Sequence, residues 1–304
     1  MQKVTEVDTP FGRLARGIKR NPVVVGASVR YLEWRCRSVR SFAFVASTGR
    51  SGTTTLARFF EDIPSCVALH EPYPAMTSDY ATDSADDAQL HRTRFQQVKR
   101  IQILRAASNL DFYLETNHQF LKNFAYPAID YFGRRLRVIH LRRDPVSVAS
   151  SFYAIGSVPG KTKLGSLYLI DPHRSDNVLP IGDVLDHDPK FADDLYPCLW
   201  YWYEMEARVI RLLEDYPAIS IMHLATDDLN QPDRVKDLLS FLALPHLADR
   251  VLAKVGLRTN QKREEKQRTV DRVKAQEMDD QLSRLLRDRF DARYIQAGPK
   301  TRGS

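Results

Sequence analysis

The sequence predicts an α/β fold in which helices flank a central parallel sheet. Short apolar runs alternate along the chain with longer stretches of helical periodicity, and the apolar runs are nearly continuous. Unbroken apolar strands are typical of parallel sheets, because helices cover both faces of such a sheet. The chain has 304 residues, which is enough for one large domain of this kind.

Five apolar runs and seven helical patterns make up the predicted elements. The predicted strands are Phe42–Thr48, Cys66–His70, Asp111–Glu115, Leu136–Leu141 and Ile219–Leu224. The predicted helices lie near residues 53–62, 88–107, 119–132, 145–155, 195–215, 232–243 and 260–290. Residues 79–87 and 156–194 are polar and show little periodicity, so we expect loops there, and loops of this length are often lids or binding loops.

We divide the chain into a basic helical N-terminal extension (1–40), one α/β domain (41–295) and a disordered tail (296–304). Nine Lys and Arg residues stand against three acidic residues in the extension. Phe11, Leu14 and Ile18 share one face of a helix there, with basic residues around it. Two interpretations remain open for that face: ordinary packing on the domain, or weak contact with a membrane surface.

Composition excludes several classes of protein. No apolar run reaches the roughly 18 residues of a transmembrane helix, and the N-terminus lacks the apolar region of a signal peptide. The three cysteines, Cys36, Cys66 and Cys198, have no metal-site spacing, so we expect no disulfide framework, no structural zinc and a cytoplasmic location. The formal charge of +7 suits a polyanion, but charge alone does not choose between nucleic acid, anionic lipid and a phosphorylated nucleotide.

The strongest local signal is a glycine-containing loop between a predicted strand and a helix, in the segment FAFVASTGRSGTTTLARFF. Two glycines allow a tight turn, and the free N–H groups at the helix start favour an anion. The predicted anion-binding residues are Thr48, Gly49, Arg50, Ser51, Gly52, Thr53, Thr54 and Thr55. A nucleoside-triphosphatase loop needs a lysine after its last glycine, and none follows here. The loop therefore has no evident binding site for a metal ion, which disfavours a kinase or ATPase.

A second signal lies in RLRVIHLRRDPVSVASSFY, where a strand ends at two arginines and a helix begins near Pro145. An arginine at the strand end and a serine about two turns into the helix can both face one phosphate. The alternative is an Arg–Asp surface pair with two serines that serve only in packing.

Together, TGRSGTTTL and RRDPVSVASSFY resemble the two donor-binding elements of the sulfotransferase superfamily. The resemblance implies a P-loop-kinase-like sulfotransferase fold, the donor PAPS (3′-phosphoadenosine 5′-phosphosulfate) and the product PAP (3′-phosphoadenosine 5′-phosphate). It implies that the first element holds the 5′-phosphosulfate and the second the 3′-phosphate. The family pattern R-(D/N)-P-x₅-S falls on Arg143 and Ser151, with Arg142 and Ser150 as the alternatives one position away.

A third segment, ISIMHLATDDLNQPDRVKDLLSFLALP, resembles a later strand and helix of the family, with Thr226 where many cytosolic members have a tyrosine. The cytosolic phenol and steroid enzymes carry a lysine and an adenine-stacking tryptophan where this chain has Arg50 and Thr55. Arginine in the loop is closer to the carbohydrate, tyrosyl-protein and bacterial enzymes. The C-terminal R-K-G element of the cytosolic enzymes is missing from this chain, and the basic stretch Arg258–Lys266 is a candidate substitute for it.

In a parallel α/β sheet the ligand lies beyond the carboxyl ends of the strands, and sulfuryl transfer there requires a general base. Glu71 is the preferred base, because several members with arginine in the loop place a glutamate there. His118 and Glu115, in the segment Glu115-Thr116-Asn117-His118, are the alternatives. Arg50 would neutralise the charge that develops on the leaving nucleotide, and His70 is expected to be a hydrogen-bonded neighbour.

The acceptor is less determined. The aromatic segment 196–206 is expected to place one face in the core, and its other face is a candidate wall of an acceptor pocket. We expect a hydroxyl or amine of a sugar, glycolipid or hydroxylated natural product. A nucleotide kinase-like phosphotransferase that uses ATP and magnesium, and a noncatalytic nucleotide or polyanion-binding protein, remain alternatives. No nucleic-acid-reading module is evident, so no nucleic-acid partner is expected.

Overall fold

The computed structural model describes residues 22–77, 86–256 and 268–296, together with Gly298. Its centre is a five-stranded parallel sheet with the strand order β2-β3-β1-β4-β5. The strands are β1 Ser41–Ala46, β2 Cys66–His70, β3 Phe112–Thr116, β4 Leu136–Arg142 and β5 Ile221–Ala225. This confirms the predicted α/β fold with a central parallel sheet flanked by helices, of the P-loop-kinase-like type, and each strand end lies within two residues of its prediction.

Helices cover both faces of the sheet. They are α1 Pro22–Arg35, α2 Thr53–Arg58, α3 Asp86–Arg94, α4 Arg100–Ala107, α5 Ala125–Phe132, α6 Pro145–Ala154, α7 Lys163–Tyr168, α8 Gly182–His187, α9 Leu195–Asp215, α10 Pro232–Phe241, α11 Ala248–Leu252 and α12 Arg272–Arg289. A π-helical turn joins α3 to α4, and another precedes α5. None of the helices in the described ranges is long and apolar enough to cross a membrane.

The expectation of an irregular loop at residues 156–194 is wrong in one respect. The segment contains α7 and α8, and its apolar side chains fill the main core, where Val158, Leu179 and Ile181 are fully buried. Its many Gly, Pro and Asp residues break the periodicity that would reveal short helices, while single apolar residues between them anchor the segment.

The central strand β1 is buried along its whole length. Phe42 and Phe44 belong to the core on one face of the sheet, and Ala43 and Val45 belong to the core on the other. This alternation follows from the two-residue period of a strand. Because all five strands run in the same direction, the residues that follow them meet at one edge, and the site lies there.

Several predicted features lie outside the described residues. They are the helical face of Phe11, Leu14 and Ile18, most of the loop 79–87, the basic stretch Arg258–Lys266 and most of the tail 296–304. The division of the chain at residues 40 and 295 stays a prediction. Within the proposed extension, α1 contributes Val29 to the same core as Phe42.

Candidate active site

The loop after β1 is held in a left-handed backbone conformation. Gly49, Arg50 and Gly52 have φ angles of 82°, 59° and 86°. Glycine adopts such angles freely, whereas at Arg50 they cost on the order of 1 kcal/mol. Ser51 Oγ donates a hydrogen bond of 3.1 Å to Gly49 O and lies 3.0 Å from Thr48 Oγ1. These short bonds fix the turn, and α2 then begins at Thr53 without a side-chain cap.

Arg50, Arg143 and Ser151 form one cluster. Arg50 Nε donates to Ser151 Oγ at 2.9 Å, and Arg143 Nη1 donates to Arg50 O at 2.9 Å. Burial lowers the pKa of Arg143, and the nearby charge of Arg50 lowers it further. Among the described residues, no carboxylate forms an ion pair with Arg143; Asp144 instead caps α6 by accepting from Ser147 N at 2.8 Å. Two arginines brought together in this way make this a candidate site for an anion.

The alternatives one position apart in the sequence lie in different surroundings. Arg142 Nε lies 2.6 Å from Glu206 Oε2, in a buried group that also includes His140. Its guanidinium lies 5.7 Å from the ring centroid of Trp202. The side chain of Arg142 is therefore directed to buried groups, whereas that of Arg143 contacts the loop after β1. In the same way Ser151, and not Ser150, contacts Arg50.

Side chains from α9 and from the turn after β5 bind the main chain of these two loops. Thr226 Oγ1 lies within hydrogen-bonding distance of Ser51 O (2.9 Å) and Arg142 O (3.1 Å). Tyr201 OH donates to Thr48 O at 3.1 Å, and Trp202 Nε1 donates to Arg143 O at 2.9 Å. These contacts fix the distance between the loop after β1 and the start of α6.

The aromatic segment therefore has a different role from the one the sequence indicated. Trp200, Tyr201 and Trp202 are 0% exposed, and Tyr203 is 3% exposed. None of the four rings offers a free face to a ligand, so the hypothesis that they wall an acceptor pocket is not supported. They pack in the core, and Tyr201 and Trp202 also hold the two loops by hydrogen bonds.

Glu71 and His118 form the second half of the site. His118 Nδ1 lies 2.5 Å from Glu71 Oε1, and Nε2 lies 3.0 Å from Gln119 Nε2. Because an amide nitrogen only donates, His118 Nε2 accepts, and its Nδ1 proton is donated to Glu71. Glu71 Oε2 has no hydrogen-bond partner among the described residues, and the side chain is 35% exposed. Glu71 also has a left-handed φ of 48°, which is strain of the kind found at functional sites.

The electrostatic surroundings keep Glu71 ionised. Burial alone raises the pKa of Glu71, but the hydrogen bond from His118 and the charges of His118, His70 and Lys122 lower it below its usual value. Burial and the charge of Lys122 lower the pKa of His118, against the opposing effect of Glu71. At neutral pH the pair is thus a carboxylate and a neutral imidazole, in agreement with the hydrogen-bond pattern.

Lys122 lies beside the candidate site, although no sequence pattern indicated it. Its Nζ donates to Tyr168 O and lies 3.3 Å from Tyr201 OH and 5.5 Å from the centroid of that ring. Burial lowers the pKa of Lys122 well below the usual value for lysine. Lys122 links the surroundings of Glu71 to Tyr201, which holds the loop after β1.

Glu115, which the sequence indicated as an alternative base, is not placed to act as one. It is 0% exposed, and its carboxylate receives Lys99 Nζ at 2.6 Å, Tyr113 OH at 2.7 Å and Asn117 Nδ2 at 2.9 Å. Lys99 also donates to Pro72 O at 3.2 Å and Pro74 O at 2.9 Å. Glu115 is fully occupied in holding the segment after Glu71, so a role as base is not supported. His70 is a hydrogen-bonded neighbour as expected, with Nδ1 3.1 Å from Thr116 O.

The two halves of the site adjoin each other. A Cβ atom placed on Gly49 would lie 3.6 Å from His118 Cβ and Cγ. The arrangement can hold an anionic group on arginines while a carboxylate oxygen beside it accepts a proton. Within the described ranges, no group of three or more His, Cys, Asp or Glu side chains could hold a metal ion.

No family model matches this sequence, and no curated protein is similar to it in sequence. Solved structures with a similar chain path include the sulfotransferase domain from the curacin biosynthetic pathway (12% identity, 82% of this chain and 98% of that one, TM-score 0.48). A sulfotransferase from Alicyclobacillus acidocaldarius (14%, 82% and 92%, TM-score 0.44) is another. A third is the sulfotransferase domain from the Synechococcus PCC 7002 olefin synthase (12%, 83% and 96%, TM-score 0.42). At these values the three structures do not establish an activity, and the case for one comes from the chain's own residues.

Proposed function

We propose that this protein is a sulfotransferase that moves a sulfuryl group from PAPS to a hydroxyl or amine of an acceptor. One observation carries the proposal: Arg50, Arg143 and Ser151 converge at the carboxyl edge of the sheet, beside the Glu71–His118 pair. The two sequence motifs that resemble PAPS-binding elements are 93 positions apart at Arg50 and Arg143, and they are in direct contact.

In this proposal Arg143 and Ser151 bind the 3′-phosphate of the donor, and residues 48–55 bind the 5′-phosphosulfate. Two observations support this assignment. Arg143 has no carboxylate partner among the described residues, so its charge is available to an anion. The first turn of α2 has no side-chain cap, so its N–H groups can donate hydrogen bonds to an anion. The Arg50–Ser151 hydrogen bond holds both motifs ready before the donor arrives. A preorganised anion site of this kind loses little free energy to reorganisation on binding.

Glu71 is the proposed general base. Its free oxygen, Oε2, accepts the proton of the acceptor hydroxyl while the hydroxyl oxygen bonds to sulfur, and the bond between sulfur and the bridging oxygen of the nucleotide breaks. The products are a sulfate ester, PAP and a proton. Arg50 offsets the negative charge that develops on the leaving nucleotide. His118 is a positioning residue, because its Nδ1 proton holds Glu71 Oε1 and leaves Oε2 to face the acceptor.

For the acceptor we propose a sugar, glycolipid or hydroxylated natural product. The support is the exposure of the base, since Glu71 is 35% exposed and Tyr73, two positions further along the chain, is 81% exposed. An open surface beside the base accepts bulky molecules that a closed pocket would exclude. We also propose a cytoplasmic location, because the three cysteines are free thiols, which suits a reducing compartment.

The proposal is tested by transfer of label from radiolabelled PAPS to a panel of free sugars, glycolipids, hydroxylated natural products and simple phenols. We expect a labelled product with the wild type and almost none with Glu71→Gln. Label on simple phenols alone would overturn the acceptor class. Binding of PAP without transfer to any acceptor would favour the noncatalytic alternative. A magnesium-dependent phosphotransfer from ATP would favour the kinase-like alternative.

A further inference from the structure

A pair of aromatic side chains stands exposed on α1. Tyr31 is 54% exposed and Trp34 is 56% exposed, although both are large apolar groups. Their rings are stacked, with centroids 6.1 Å apart and planes 25° apart, and the guanidinium of Arg35 lies 5.8 Å from the Tyr31 centroid. Scattered single aromatics on a surface need no explanation, but an adjacent pair on one helix face indicates a contact surface.

Arginines surround this pair at the amino edge of the sheet. Phe42 pairs with Leu136 in register, so Arg40 and Arg134 both precede the amino ends of the adjacent strands β1 and β4. Arg135 Nη1 donates to Cys36 O at 2.9 Å and thereby joins the turn before β4 to the end of α1. The group on this side of the sheet is Arg30, Arg35, Arg37, Arg40, Arg134 and Arg135, and we name it the amino-edge arginine cluster.

The amino-edge arginine cluster lacks balancing acids. Within the part of the chain that the structure describes, none of its six members forms an ion pair. Glu33, the acidic residue of α1, accepts a hydrogen bond of 2.5 Å at Oε1 from the hydroxyl of Tyr131. Arg30, Arg37, Arg40 and Arg134 are exposed. Positive charge is thus concentrated on one face without neutralisation by ion pairs, which favours an anionic partner.

We propose that Tyr31, Trp34 and the amino-edge arginine cluster form a docking surface for an anionic lipid membrane. Trp and Tyr favour the membrane–water interface, and arginines bind the anionic headgroups around them. Nucleic acid is the less suitable partner, because bases stack on free aromatic faces. Here one face of each ring is turned to the other ring, and Arg35 lies over Tyr31, so less ring face is open to stacking than on two separate aromatic side chains.

The geometry sets the orientation of the docked protein. The candidate active site follows the carboxyl ends of β1 and β4, whereas Arg40 and Arg134 precede the amino ends of the same strands. A membrane bound at the amino edge therefore leaves the active site on the opposite side, facing water. The docking surface shares no residue with the proposed sulfotransferase site and does not depend on that proposal.

The test uses the purified full chain with vesicles of equal parts phosphatidylserine and phosphatidylcholine, and with vesicles of phosphatidylcholine alone. The chain has three tryptophans, and Trp200 and Trp202 are 0% exposed, so a change in emission on binding reports Trp34. We expect a blue shift and co-sedimentation with the anionic vesicles only, and both should weaken as salt rises. Arg37→Glu combined with Arg40→Glu should weaken binding about tenfold or more, since each basic residue contributes about fivefold.

Two control variants match these changes elsewhere on the surface. Arg250→Glu reverses an exposed arginine on α11, and Val273→Ser removes a side chain that is 70% exposed on α12. Both should bind anionic vesicles as the wild type does, whereas Tyr31→Ser combined with Trp34→Ser should not. Equal binding to both vesicle types, no binding, or loss of binding in the controls would overturn the proposal. So would capture of an oligonucleotide through Arg37 and Arg40 without vesicle binding. Circular dichroism checks folding, and stabilisation by PAP tests the active site separately.

Discussion

Arg50 and Ser151 are joined by a hydrogen bond of 2.9 Å from Nε to Oγ, although 101 positions separate them in the chain. The bond connects the loop after β1 to the second turn of α6. It brings together two motifs that were identified independently in the sequence, and Arg143 adds a second contact between them. The proposed donor site depends on this contact between the loop and α6.

Ser151→Ala should weaken the binding of PAP by about tenfold to a hundredfold. A hydrogen bond to a charged group contributes about 1.5–3 kcal/mol, and the variant removes both the proposed bond to the 3′-phosphate and the bond to Arg50. Ser150→Ala is the matched control, because Ser150 does not contact Arg50, and it should bind PAP as the wild type does. Isothermal titration calorimetry gives both constants. Equal losses in the two variants would contradict the assignment.

Glu71→Gln should lower the turnover about 10²- to 10⁴-fold, which is the usual contribution of a general base. The substitution preserves the shape of the side chain and removes its ability to take a proton. Because Glu71 is not in the donor cluster, the affinity for PAP should stay within about twofold of the wild type, well below the loss expected when a charge-assisted bond is removed. A variant that binds PAP normally and retains full turnover would exclude Glu71 as the base.

His118→Ala should move the acidic limb of the pH–rate profile to higher pH. The carboxylate of Glu71 is the active form, so activity is present above its pKa and is lost as the pH falls through that pKa. Burial raises the pKa of Glu71, and the hydrogen bond and charge of His118 lower it. Without His118 two of the contributions that lower the pKa are lost, so the pKa of Glu71 rises relative to the wild type. The measurement is kcat/KM against pH, and an unchanged or lower acidic limb would contradict the positioning role.

Glu115→Gln should destabilise the fold while leaving turnover in the folded fraction nearly unchanged. Removing one partner of a buried ion pair typically costs about 3–5 kcal/mol, and the pair here is Lys99–Glu115 with 2.6 Å between Nζ and Oε1. Adding Lys99→Met should recover part of the loss, because no charge is then left unpaired. Urea unfolding of the single and double variants measures the effect. Loss of turnover without loss of stability would contradict this structural role and support Glu115 as the base.

Asp279→Asn should stabilise the protein at neutral pH. Burial raises the pKa of Asp279 from 3.8 to about 6, against the hydrogen bond from Tyr203 that lowers it. A carboxyl whose folded pKa is raised destabilises the fold as the pH rises from about 4 through 6. Asparagine keeps an acceptor for Tyr203 without the charge, and the pKa difference corresponds to an upper limit of about 3 kcal/mol. Thermal unfolding should show the gain at pH 7 and little gain near pH 4.

The strands could be predicted and the two proposed donor motifs could be recognised from the sequence, because both depend on local patterns. Buried parallel strands are near-continuous apolar runs, and glycine with arginine between a strand and a helix is a local signature of anion binding. The parallel direction of the strands then places Arg50, Glu71 and Arg143 at one edge without further information.

The roles of Glu115, Lys122 and the aromatic segment could not be predicted, because they depend on which way a side chain points. Glu115 ends a buried strand as a catalytic residue often does, yet it shares a face with Tyr113, two positions earlier, and both point into the core. Lys122 reaches Tyr201 from 79 positions away, a contact that no local pattern encodes. Four successive aromatics on α9 indicated a pocket, but three-dimensional packing buries all of them.

Thermal stability of the wild type and Arg143→Ala, with PAP, with ATP–Mg²⁺ and without ligand, tests the central claim most directly. A ligand that binds only the folded state stabilises it by about 2.7 kcal/mol at a hundredfold excess over Kd. The account predicts stabilisation of the wild type by PAP in the absence of magnesium, and its loss in Arg143→Ala. Stabilisation by ATP–Mg²⁺ alone would contradict the sulfotransferase proposal and support the phosphotransferase alternative.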